Sequence, residues 1–255
     1  HRLQMILEVL KGRSILLLIE DSGDCKKGCS TDYVQRQYIS NIHKKENGIT
    51  AITAYGLVDG MVFPLAFEVY KPIERLKPGD EYRSKSEIVV MLIQHLQSMG
   101  FVIELILTDS LCGESKTSVV EMFDAMRLPY ILVVRNDRAL WLPTDQNAYQ
   151  EPWQELKRTL NNGITEVRYI TEVVYGDRQR TQYYILSSYP QILPTNITCL
   201  IAVDTSLTRL KEIVHRYGFR FWINYGLKQV KDALGWADFR MTRYEQIERW
   251  WEMIM

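Results

Sequence analysis

Three short apolar runs limit the folds open to this chain more than any other feature. Ile15-Leu-Leu-Leu-Ile19 closes on Glu20-Asp21, Phe101 to Leu107 closes on Thr108-Asp109, and Tyr130 to Val134 follows a helical stretch. Apolar at nearly every position, such runs fit strands covered on both faces. Ile49 to Val58 and Met61 to Val69 flank Asp59-Gly60, a dipeptide that reverses the chain between antiparallel strands. Helix-period patterns alternate with the strands. Ser84 to Ser98 carries Ile88, Met91, Leu92, His95 and Leu96 on one apolar face, Ser84 and Glu87 as a capping box, and Gly100 as terminator. His95 is expected to be structural there. Ser115 to Met126 is a second such helix. A hairpin followed by helix-separated strands predicts an α/β domain with a mixed sheet.

The alternation breaks at residue 136. Glu166 to Tyr175 and Thr181 to Ser187 predict a hairpin around Gly176-Asp177-Arg178, and Thr198 to Val203 predicts another strand. A helix from about His215 to Leu234 resumes the pattern. The expected division is therefore 1–135, the first part of the core; 136–210, a β-rich insertion; and 211–255, the last helices. With 255 residues, one discontinuous domain plus an insertion is a reasonable size. The chain starts at His1 and stops within an apolar helical pattern of Tyr244, Ile247, Trp250, Trp251 and Ile254, so a fragment lacking segments at both ends is expected.

Composition excludes little. No apolar run nears the ~20 residues of a membrane helix. The formal net charge is zero, unlike a uniformly basic nucleic-acid binder. A local strip of Lys26, Lys27, Arg36, His43, Lys44 and Lys45 suits phosphates or is a solvated loop. Cys25 and Cys29 lack a second close Cys or His pair, which leaves free thiols as the default. Trp141 and Trp153 suit base stacking or ordinary packing.

Asp21 and Asp109 each follow an apolar strand, where α/β folds collect catalytic groups. On neighbouring strands their carboxylates would repel unless cations lay between them, and two magnesium ions suit such a site. In the last long helix, Tyr217, Arg220, Asn224 and Lys231 fall within an arc of roughly 60° at about 100° per residue. Arg and Lys on one face suit phosphate. An ordinary solvated face, and strand-end turns at the two aspartates, are the alternatives.

The motif Tyr217-x2-Arg220-x3-Asn224-x6-Lys231 resembles the Tyr-x2-Arg-x3-Glu-x6-Lys helix of DDE transposases of bacterial insertion sequences. Glu20-Asp21-Ser22-Gly23 with Lys26-Lys27-Gly28 is similar to the box around that family's first aspartate, with Asp21 aligned to the catalytic acid. Asp109-Ser110-Leu111 and Leu234-Gly235-Trp236-Ala237-Asp238-Phe239 extend the likeness over nearly the whole chain. The resemblance implies an RNase H-like mixed sheet flanked by helices. It also implies Mg-dependent strand cleavage and strand transfer at transposon ends, with Mn as a substitute. Asp21, Asp109 and Asn224 would be the catalytic positions, and Asp21 and Asp109 the metal ligands. Tyr217, Arg220, Lys231, Lys26, Lys27 and Arg36 would contact double-stranded DNA. A dimer on DNA, in the bacterial cytoplasm at the nucleoid, is expected. Where the family has glutamate this chain has Asn224, which lacks the charge a metal needs and implies impaired catalysis. A catalytically dead DNA-binding remnant is the alternative, and a metal-free α/β binding module is a third.

Overall fold

β1 (Ile15–Cys25) organises the molecule, because it is buried from Leu17 to Gly23 and carries a partner along each edge. The computed structural model describes residues 1–39, 44–109, 116–134, 149–159, 165–174, 181–190, 197–203, 215, 218, 235–236 and 239–254. β3 (Lys44–Val58) runs antiparallel to β1 on one side, and β5 (Ile103–Asp109) runs parallel to it on the other. Outside β3 lie β2 (Gln35–Ile39) and β4 (Met61–Val69), both antiparallel to it. β6 (Tyr130–Val134) continues parallel to β5. The resulting order β4-β3-β1-β5-β6, antiparallel on one side of β1 and parallel on the other, is the RNase H-like arrangement expected.

The first strand outruns its apolar core. It continues through Ser22, Gly23 and Asp24, and β2 with the start of β3 forms a ribbon in the polar 22–48 stretch. Polar residues hold strand geometry here because both ladders satisfy their backbone groups. The β-rich stretch is not set apart from the core sheet. β11 (Ile197–Val203) pairs antiparallel with β6, and β10 (Thr181–Ser187), β9 (Thr165–Val174), β8 (Gln154–Thr159) and β7 (Tyr149–Gln150) continue outward. The turn around Gly176-Asp177-Arg178 lies outside the described residues, as does nearly all of the expected 215–234 helix.

Helices cover one face. α1 (Arg2–Leu10) and α2 (Lys85–Met99) bury Leu10, Ile88, Val89, Leu92, Ile93 and Leu96 against Leu17, Ile19, Ile52 and Ala54. α3 (Lys116–Met126) adds Phe123, stacked on Tyr130 at 4.9 Å between ring centroids. The capping box of α2 forms as expected. The Ser84 N–H donates to Glu87 Oε2 at 2.7 Å, and the Glu87 N–H donates to Ser84 Oγ at 3.3 Å. Gly100 ends the helix at φ 102°, a conformation that only glycine adopts without strain. One expectation fails: His95 is exposed. The buried stripe centres between the 88/92/96 row and the 89/93 row, which places His95 roughly 90° from its middle.

The opposite face carries two clusters. Leu18, Tyr55, Leu105, Leu107, Ile131 and Val133 join residues of β8 to β11 in one. Ile49, Ala51, Phe67, Trp236, Phe239 and Trp251 form the other, an aromatic seat for α4 (Tyr244–Ile254). Trp236 and Trp251 stack at 4.3 Å, and Phe67 meets both edge-on. Each indole N–H of α4 finds a carbonyl: Trp250 donates to Gly235 O at 3.0 Å and Trp251 to Trp236 O at 3.1 Å.

Candidate active site

Two acids sit side by side near the end of β1, and both are buried: Glu20 at 9% and Asp21 at 5% exposure. A strand sends successive side chains to opposite faces. Asp21 follows Leu17 and Ile19 toward the helical layer, where Lys85 Nζ reaches its Oδ2 at 2.6 Å. Lys85 is the first residue of α2, so the ion pair ties the start of that helix to the centre of the sheet. The Tyr70 ring lies 5.4 Å from the same ammonium. Glu20 follows Leu18 toward the other face. Its neighbour across the ladder is Thr53, which stands between Ala51 and Tyr55 on that face of β3. Burial raises the Tyr55 hydroxyl pKa, and the charge of Glu20 raises it further.

β5 delivers the second strand-end acid. Leu107 pairs with Leu18 and Thr108 with Ile19, so the β1–β5 ladder closes one residue before Asp109, next to the Glu20-Asp21 pair in the chain. On its far side Asp109 pairs with Val133. The side chain of Asp109 lies outside the described residues, as do Tyr217, Arg220, Asn224 and Lys231. Among the described side chains no group of three or more His, Cys, Asp or Glu is placed to hold a metal ion.

The basic strip divides. Lys26 is committed on the Glu20 face: its Nζ lies 2.6 Å from Asp24 Oδ2 and 3.6 Å from the centre of the Phe239 ring. Lys27 and Arg36 are exposed. Arg36 sits opposite Asn47 on the outer ribbon, separated from β1 by β3. Cys25 and Cys29 are exposed thiols, Trp153 is half-buried, and Trp141 lies outside the described residues. A cleft of about 480 Å³, lined by Ser84, Glu87, Val90, Met91, Gln94 and Met122, opens on the helical side and contains no strand-end acid.

Sequence reasoning passed over Lys85. Nothing near Lys85 in the sequence distinguishes it from any helix-start lysine.

Residues 2–163 match the family described as DDE superfamily endonuclease. The chain is 46% identical over 247 residues to a protein of Microchaete diplosiphon named probable transposase for insertion sequence element IS701. The match takes in 97% of this chain and 65% of that relative's length. Among solved structures, Marinitoga piezophila Argonaute in complex with 5' OH guide RNA and target DNA aligns with 78% of this chain and 25% of its own. Its TM-score is 0.31 at 12% identity, too low to carry an argument.

Proposed function

The chain belongs to the DDE superfamily of endonucleases, and from that premise we propose that it is the catalytic-core part of an insertion-sequence transposase acting on double-stranded DNA. One conjunction carries the proposal: close identity to a probable insertion-sequence transposase, in a sheet whose register sets the acid-bearing ends of β1 and β5 side by side.

Endonucleases of this superfamily generally use divalent metals. The donor chemistry here fits them, because the strand ends offer hard carboxylate oxygens, which suit magnesium or manganese. Asp21 and Asp109 would hold the cations, and Asn224 would stand at the third position. Bound there, they supply activation of an attacking oxygen and charge relief for the leaving oxygen. The protein's own side chains bind and orient. Arg220 grips a DNA phosphate with two parallel N–H groups, and Lys231 adds a point charge. Tyr217 packs on a sugar or base. Lys26, Lys27 and Arg36 follow the backbone farther along. Hydrolysis at the transposon end frees a 3′ hydroxyl, which then attacks a target phosphodiester and expels the target strand's own 3′ oxygen, without a covalent enzyme intermediate. A dimer on DNA brings two ends together.

Asn224 favours a second reading, a remnant that binds transposon ends and does not cut them. Asparagine offers one carbonyl oxygen, but its amide donates where a cation needs an acceptor. Losing a metal-binding carboxylate costs more than the 10–100-fold typical of outer-shell changes, so Asn224→Glu should raise Mg-dependent end nicking by at least about 100-fold. Equal nicking by both proteins would refute the impairment. DNA retardation in a gel with no product from either would favour the remnant.

A further inference from the structure

Of the ion pairs among the described residues, Lys85–Asp21 is the one with both side chains almost wholly buried, at 7% and 5% exposure. The next most buried, Lys26–Asp24, keeps 15% and 13% exposed, and every other pair leaves at least one partner more open than that. Taking two charges out of water often costs more than their attraction returns, and well-packed apolar residues hold elements together as firmly. A pair buried this deeply, on an acid at a strand end, points to a role beyond anchoring α2.

The surroundings of the pair suit a cation. Asp21 lies across the ladder from Ile52, and the next residue of β3 on that face, toward the polar end of β1, is Thr50. Thr50 Oγ1 is buried, with no hydrogen-bond partner among the described residues. The Tyr70 N–H donates to the Thr50 carbonyl at 2.9 Å, and the Tyr70 ring lies 5.4 Å from Lys85 Nζ. Carboxylate and hydroxyl are both hard oxygen donors, and the positive charge held at the carboxylate is an ammonium. Lys85 is the first residue of α2, next to the half-buried Ser84. Rotation of its flexible four-carbon stem therefore carries the ammonium off Asp21 without moving the helix.

We propose that Lys85 is the built-in counter-cation of the metal site: its ammonium neutralises and orients Asp21 in the metal-free protein and yields that carboxylate when a divalent cation binds. The inference rests on the transposase reading above, in which Asp21 is a metal ligand. Lys85 is then a positioning residue, because it acts on the reaction through Asp21. Two cations at one carboxylate repel, so the ammonium leaves on loading. The apparent metal affinity is lowered in proportion to the fraction of molecules in which the pair stands open.

The test uses Mn²⁺ alone as probe on the full chain, in parent and Asn224→Glu forms, read by direct titration and by the Mn²⁺-dependent rise in melting temperature. Lys85→Met should melt below the parent without metal, bind Mn²⁺ at least about 10-fold tighter, and regain most of the lost melting temperature once loaded. Lys85→Gln, which keeps a hydrogen-bond donor for Asp21 and drops the charge, carries the same affinity expectation should Lys85→Met not fold. Adding Asp21→Asn to either variant should abolish the gain. A smaller gain, or none, in the folded Lys85 variants overturns the inference and leaves the metal-dependent reading standing, as does a gain that survives Asp21→Asn. If no form binds Mn²⁺, the Lys85 variants included, the metal-dependent reading fails and takes the inference with it.

Discussion

Lys85 Nζ lies 2.6 Å from Asp21 Oδ2 across 64 residues of sequence, with both side chains almost wholly out of water. Removing one member of such a pair strands the other as a buried charge. Lys85→Met should therefore cost about 3–5 kcal/mol, whereas Lys85→Met with Asp21→Leu should recover most of it. Urea unfolding midpoints of the two variants decide the matter. Equal losses would mean that the charge pairing does not anchor α2.

Asp32 makes stability depend on acid. Burial alone would raise its carboxyl pKa, but the hydrogen bond from Lys77 and that from the Tyr244 backbone N–H outweigh this and hold it low. The second bond, at 2.8 Å, satisfies an N–H at the start of α4 that has no partner inside the helix. A carboxylate with a depressed folded value stabilises fully above its unfolded value, near 3.9, and the contribution disappears as pH falls through the lower folded value. Asp32→Asn should lower the melting temperature at pH 7, and the gap to the parent should narrow as pH drops below about 4. A gap that widens in acid would contradict the assignment.

Gly48 closes the join between β1, β2 and β3. An added Cβ would meet the Asp24 carbonyl oxygen at 2.6 Å and Ile39 Cδ1 at 2.8 Å. The isoleucine tip can move, but the carbonyl is fixed by its strand. Gly48→Ala should thus cost about 1–3 kcal/mol by overpacking. Gly28→Ala, with nothing within 4 Å, is the control and should leave the unfolding midpoint in place.

Trp251 is the keystone of the C-terminal aromatic cluster. It is 1% exposed, stacks on Trp236, and meets Phe67 and Phe239 edge-on at 5.6 and 5.9 Å. Trp251→Ala should lose about 3–5 kcal/mol, and Trp251→Phe less. Hydrogen exchange should show α4 opening first. Because Phe239 also carries Lys26, added salt should weaken DNA retention more steeply in the parent than in Trp251→Ala. Matching salt slopes would show that this cluster does not position Lys26 for DNA.

Much of the scaffold was readable from local pattern. Asp59-Gly60 gave its hairpin, Ser84 with Glu87 gave the α2 cap, and each apolar run gave its strand, because the signals lie within a few residues of their effects. His95 was misplaced because an apolar stripe of two adjacent rows shifts its centre, and only the sheet shows where that centre lies. The β-rich stretch was recognised as strands, but its joining to β6 through β11 depends on a partner more than 60 residues away.

By itself the sequence determined the strand and helix alphabet, the family resemblance, and the fact that Glu20 and Asp21 must face opposite ways. Alternation along a strand is a property of the backbone, so no folding partner is needed to know it. What Asp21 meets in the helical layer was decided only in three dimensions. The offset between β1 and β5 and the arrival of Lys85 from α2 are set by burial across distant segments, and they give Asp21 an ammonium partner 64 residues away in sequence.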